Sequence, residues 1–259
     1  MVNYKLVFKS IFYIFLFLFK LTLLSQTKVN SIHEITKDFN SFWKYWNENI
    51  FLSKRFVPLN SKGNEIPKDT FIKHLIENNY IPIKLQSAKL KYKLYKLNIN
   101  STNNHDIIMT TRNLARYELK YSNLKGDNFV NYNFVDIYDR KFNVNNCFGK
   151  VILINTWFIE CPPCVKEIPD LNELYNKYAS RKDVVFLALS TNMENKLKSF
   201  LKKVPFYFSI IPDQEYFIRT RFRLNLFPSF ILINKQGVII KASGKLEDII
   251  DDFIMALNN

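Results

Sequence analysis

Cys161, Pro162, Pro163 and Cys164 form a C-x-x-C in a chain of 259 residues that holds only three cysteines. Two thiols at that spacing can exchange two electrons with a disulfide, and the redox reading is favoured when a buried strand precedes the pair and a helix follows it. Both flanks are present here. Residues 151–155 (VILIN) are an apolar run fit for a buried strand, and 162–179 read as a helix. At a helix start, Cys161 faces backbone N–H groups that lack an intrahelical partner and the positive end of the macrodipole. Both favour a thiolate. Pro162 and Pro163 suit first helical positions, where the missing N–H is not needed. Positions 161, 164 and 167 follow one ridge at about 100° per residue, so Glu167 lies one turn beyond the sulfurs. Other uses of the pair fit less well. Zinc needs two more ligands, and after residue 126 the sequence adds only Cys147, since His33, His74 and His105 all come earlier. A structural disulfide closing two residues restricts the unfolded chain little. No metal and no cofactor is expected, and Cys147, expected in a loop at 145–149, is expected to be an unpaired thiol.

The elements that would position the pair alternate. After the strand at 151–155 and the helix at 162–179 come a buried strand at 184–190, a helix at 194–202, a short strand at 206–210 and a helix at 215–222. A strand at 230–234 then turns through Lys235, Gln236 and Gly237 into 238–242, and a helix at 246–257 closes the unit. This order implies an α/β fold with a mixed sheet covered on both faces.

The charge is distributed unevenly. The net +14 divides into +3 over residues 1–25, +9 over 26–125 (17 basic, 8 acidic) and +2 over 126–259 (17 basic, 15 acidic). In the first segment Lys5 and Lys9 precede an apolar run that ends near Ser25, the layout of a secretory signal. As a helix, 11–24 would span roughly 21 Å, short of a hydrocarbon core of about 30 Å. Export with cleavage near Ser25 is expected, an uncleaved anchor being the alternative, and the location is the periplasm or cell envelope. Residues 26–125 read as a small α+β domain: a helix from Ile32 to Ile50, a second at 68–78, strands at 81–85 and 90–99, and a helix at 106–119. Its Phe42, Trp43, Tyr45 and Trp46 have core-like helical spacing, with a binding surface as the alternative. Lys alternates with Leu or Tyr over 89–96. Export argues against nucleic acid, which leaves a solvated strand face or contact with anionic lipid or an acidic partner.

The stretch Gly149, Lys150, VILINTWFIECPPCVKEIPDLNELYNKY resembles the TlpA/ResA-like thiol-disulfide oxidoreductases of the thioredoxin superfamily, and the resemblance covers 126–259. Trp157 stands at the family's N-F-W tryptophan, Pro169 at the proline that kinks the active-site helix, and Glu167 at a glutamate close to the cysteines. Phe227, Pro228 and Ser229 resemble the cis-proline loop that abuts the disulfide. The resemblance implies a thioredoxin-like fold behind the small N-terminal domain, protein disulfides as substrates and an upstream thiol as electron donor. It also implies Cys161 as exposed nucleophile, Cys164 as shielded resolver, Glu167 as acceptor of the Cys164 proton, and Pro228 as the residue beside which the substrate strand lies. Two positions depart from the pattern. Glu160 replaces the usual tryptophan before the first cysteine, and a carboxylate there opposes thiolate formation. Asn155 replaces a buried aspartate, which moves the proton-transfer role toward Glu167. A peroxidase would need Pro-x-x-x-Thr-x-x-Cys, and neither the proline nor the threonine is in place. A copper carrier would want C-x-x-x-C with a histidine in the same domain. A surface binding protein with a vestigial redox domain is the remaining alternative.

Overall fold

The computed structural model describes residues 31–101 and 104–258. The expected signal at 1–25 and cleavage site lie outside them. Two compact units result: one ends at Ile50 and takes in Asn98–Ile107, the other comprises Phe51–Leu97 and Ile108–Asn259.

The first unit carries α1 (Ile32–Thr36) and α2 (Phe39–Asn49). One helix was expected across both. The break comes from Asp38, whose extended backbone and carboxylate, accepting from Ser41 N–H at 2.7 Å, start a new helix. The aromatic group divides: Phe42, Tyr45 and Trp46 are buried, whereas Trp43 is exposed and stacks on Phe39.

The second unit opens with a three-stranded sheet of β1 (Val57–Leu59), β3 (Lys91–Lys96) and β2 (Tyr80–Leu85), with α3 (Lys68–Glu77) between β1 and β2 in sequence. β1 escaped the sequence reading because three residues are too few to show alternation. β3 buries Tyr92 and Leu94 and leaves the intervening lysines partly exposed, as its alternation requires. α4 (Asn104–Ser122) leads through the hairpin β4 (Asn133–Val135) and β5 (Lys141–Asn143) to the short helix α5 (Val144–Cys147). Cys147 therefore sits in a helical turn, buried and free, rather than in a loop.

The main sheet has the order β10-β9-β6-β7-β8. Its central strand β6 (Val151–Trp157) is buried along its whole length and pairs parallel with β7 (Val184–Ser190) and antiparallel with β9 (Ser229–Ile233). β8 (Ser209–Ile211) and β10 (Ile239–Ser243) form the edges. Alternate residues of β6 feed two cores. Val151, Leu153 and Trp157 pack with Cys161, Cys164, Leu171 and Phe253, and Ile152 and Ile154 pack with Tyr121, Phe129, Ile218 and Phe222. Helices thus cover both faces, the mixed α/β arrangement of a thioredoxin-like fold.

Several boundaries differ from expectation, two of them for reasons that side chains supply. The helix expected at 162–179 is two, α6 (Pro162–Lys166) and α7 (Ile168–Tyr178), meeting at Glu167. Pro169 cannot donate to the carbonyl of Val165, and its ring crowds that carbonyl. The strand expected at 206–210 starts at Ser209, because the Asn172 side chain takes the neighbouring backbone: its amide donates to Pro205 O (2.8 Å) and its carbonyl accepts from Tyr207 N–H (2.9 Å). The last helix begins as a 3-10 turn, Leu246–Asp248, before α10 (Ile250–Asn258). α8 (Glu194–Leu201) and α9 (Glu215–Arg221) fall where the sequence placed them, each a residue shorter at its end.

Candidate active site

β6 ends at Trp157, and a short connection delivers Cys161 to the start of α6. Trp157 is fully buried against Phe200 and Phe206, which anchors the strand end that carries this connection. Cys161 is the N-cap of α6: its backbone is extended, and its sulfur lies 3.3 Å from the backbone N–H of Cys164. That donor is one of the orphan groups of a helix start, and it lowers the energy of negative charge on the Cys161 sulfur. Cys161 and Cys164 are joined as a disulfide with Cα atoms 5.3 Å apart. Solvent exposure does not separate them in this state, at 5% and 3%. The expected contrast of an exposed and a shielded cysteine is therefore absent from the oxidised form. The N-cap position distinguishes the two instead.

Glu167 is half-buried at the α6–α7 junction, and its Oε2 is buried without a hydrogen-bond partner. Burial first, then the carboxylates of Glu247 and Asp170, pushes its pKa up to about 7. A carboxyl that titrates near neutrality, one turn beyond a dithiol, can both take and return a proton in the working range. Glu160, by contrast, is exposed. Asn192 Nδ2 donates to its Oε2 at 3.0 Å, while Asn192 Oδ1 accepts from Ile159 N–H at 2.8 Å, and the first of these bonds holds the Glu160 carboxyl below its ordinary range. Asn192 thus braces the segment before Cys161. Sequence reasoning missed it, although its place just beyond the C-terminal end of a buried strand, where α/β sheets gather their sites, was a usable signal. Asn155 is buried at mid-strand, in register with Ala188 and Phe230.

The Phe227–Pro228 peptide is cis. Phe227 meets Phe158 edge-on, with ring centroids 5.3 Å apart, so this loop and the Cys161 loop adjoin. Ser229 follows as the first residue of β9 and pairs with Thr156, one residue from the end of β6. Ser229 N–H donates to Thr156 Oγ1 at 3.2 Å. Cys161, Cys164 and Glu167 thus follow one another along the chain after β6, and Phe227, which precedes Pro228, packs against the core that holds both cysteines. Cys147 is placed elsewhere, in the second core, with burial raising its thiol pKa.

Residues 125–249 match the Redoxin family model. Among curated relatives, the thiol-disulfide oxidoreductase ResA of Halalkalibacterium halodurans is 25% identical over 131 residues, spanning 50% of this chain and 74% of the relative. The ResA of Bacillus cereus is 31% identical over 117 residues, spanning 45% of this chain and 67% of the relative. Among solved structures, the thioredoxin domain of a thiol-disulfide oxidoreductase from Bacteroides vulgatus aligns at 22% identity over 52% of this chain and 98% of that one, with a TM-score of 0.46.

Proposed function

The chain belongs to the ResA-like (TlpA-like) thiol-disulfide oxidoreductases of the thioredoxin superfamily, and from that premise we propose that it reduces disulfides of other proteins outside the cytoplasm. The observation that supports this reading most directly is the Cys161–Cys164 disulfide at a helix start, with the Cys161 sulfur facing the Cys164 N–H. In the dithiol form the Cys161 thiolate attacks one sulfur of a substrate disulfide. The other substrate sulfur leaves as a thiolate and takes a proton from solvent. Cys164 then passes its proton to Glu167 and attacks the Cys161 sulfur, which releases the second substrate thiol and forms the Cys161–Cys164 disulfide. Two electrons have moved from the dithiol to the substrate, and an upstream thiol must return them. In this reading the substrate strand lies beside Pro228, in the cis-proline loop.

The location rests on the signal-like layout of 1–25, with a mature chain beginning near Gln26 or held by that segment as an anchor. No helix among the described residues is long and apolar enough to cross a membrane. The +9 carried by 26–125 suits contact with an anionic membrane surface. Reduction of insulin with dithiothreitol as donor tests the activity. The wild-type chain should accelerate it and Cys161→Ser should not. Equal, uncatalysed rates for both would favour the binding-protein reading.

A further inference from the structure

Tyr121, near the C-terminal end of α4, lies outside the region matched by the family model, yet its ring is buried in the core beneath the main sheet. Its hydroxyl lies 2.9 Å from Ser229 Oγ, and Ser229 Oγ lies 2.6 Å from Leu226 O. The carbonyl can only accept, so the one Ser229 hydroxyl hydrogen goes to Leu226. Tyr121 must therefore donate. The result is a continuous chain, Tyr121 O–H to Ser229 O–H to Leu226 C=O, that spans the cis-Pro228 turn from behind. Burial pushes the Tyr121 pKa up to about 12, so the phenol keeps its proton throughout the working range.

Three further observations agree. Lys120 Nζ donates to Asn225 Oδ1 at 2.9 Å, a second tie from the same helix to the same loop. A Cβ on Gly244 would stand 3.1 Å from the Tyr121 hydroxyl, so the glycine makes room for the phenol. Arg223, just upstream, has φ of 54°, a left-handed conformation that costs a non-glycine residue energy and persists where the surroundings hold it.

We propose that Tyr121, assisted by Lys120, is a positioning residue for the redox reaction: it fixes the 225–229 loop on which a substrate protein is laid, and so sets affinity for protein disulfides without touching the sulfurs. The proposal rests on the reductase reading above. A segment preceding the family-matched region thereby supports the cis-proline loop from outside it.

The test compares full-length wild type, Tyr121→Phe, Ser229→Ala and the double variant with two substrates, insulin and the small disulfide 5,5′-dithiobis(2-nitrobenzoate). Tyr121→Phe keeps the ring and removes the donor. Its KM for insulin should rise about fivefold, the value of one net hydrogen bond, with kcat within about twofold. Its rate with the small disulfide, which needs no extended contact with the loop, should stay near that of wild type. Because both groups belong to one chain of hydrogen bonds, the double variant should have the KM of the weaker single variant rather than the product of the two effects. If the buried variants fail to fold, Lys120→Met, at an exposed contact, should raise the same KM by a smaller factor. Unchanged KM in every folded variant, or equal losses on both substrates, would overturn the proposal. A wild type inactive on both substrates would instead sink the reductase reading. Amide exchange would then decide the clamp: faster exchange at 225–227 in Tyr121→Phe supports it, and unchanged exchange overturns it.

Discussion

Cys161 and Cys164 share one helix start and Glu167 the junction that ends that short helix, whereas the cis-proline loop, whose Phe227 meets Phe158, is held by partners far away in sequence. Thr156 binds Ser229 from 73 residues upstream, Lys120 binds Asn225 from 105 and Tyr121 binds Ser229 from 108. On the cysteine side, spacing alone sets the geometry, because helical pitch brings positions three apart together. On the proline side no residue can be placed until the sheet has formed. The contrast implies a division of labour. Substitutions on the local side should alter the chemistry of the sulfurs, and substitutions on the distant side should alter how well a substrate protein is held.

Four substitutions probe that division. The largest effect belongs to Cys161→Ser, which should lower insulin reduction at least about a thousandfold, since the nucleophile has no substitute. Retention of activity by Cys161→Ser would remove the local side from the chemistry altogether. Next is Glu167→Gln. Resolution of the mixed disulfide, followed by rapid quench, should slow about a hundredfold while the first attack changes little. In wild type, resolution should rise with pH through about 7 as Glu167 becomes able to accept a proton. Glu167→Gln should flatten that rise. The same group has a stability signature. Its folded pKa is raised, so the folded state binds more protons than the unfolded one between the ordinary carboxyl value and about 7, and stability should fall as pH rises through that window. Thermal melts of wild type and Glu167→Gln across pH 4 to 8 would show whether the slope depends on this side chain.

Smaller effects should come from the distant side. Tyr121→Phe should raise KM for insulin about fivefold and leave kcat nearly unchanged. A fall in kcat instead would blur the division. The smallest effect is expected at Glu160, whose exposed carboxylate is tied to Asn192. Glu160→Gln should make Cys161 of the reduced protein only slightly more reactive, because removing the carboxylate favours the thiolate while water screens that charge. The measurement is the rate of alkylation of the reduced protein at neutral pH, and a slower rate than wild type would reverse the inferred sign.

Legibility in the sequence follows the same contrast. The C-x-x-C, the strand before it and Glu167 one turn later could be read directly because hydrophobic period and helix-start chemistry are local. Even there, Pro169 divided the helix at Glu167 rather than bending it. Pro228 was reached through resemblance, and its cis peptide is present. Ser229 was read only as part of the cis-proline loop and Asn192 was marked only by its place beyond a strand end, and nothing in the sequence joined Tyr121 to Ser229. A tyrosine near the end of an amphipathic helix looks like any other core residue until the strand it touches is in place. The same limit explains β8, whose start was misplaced because Asn172, on α7, binds the backbone on either side of Phe206.

The most direct test of the central claim, that Cys161 is the attacking sulfur of a working dithiol, is a trapping experiment with Cys164→Ser. This variant keeps the N-cap sulfur and its N–H donor but lacks the thiol that would release a bound substrate. Incubated with a protein disulfide and examined by mass spectrometry under non-reducing conditions, it should accumulate mixed disulfides on Cys161, while Cys161→Ser accumulates far fewer on Cys164. Adducts formed chiefly on Cys164 in the Cys161→Ser protein, with few on Cys161 in Cys164→Ser, would contradict the account.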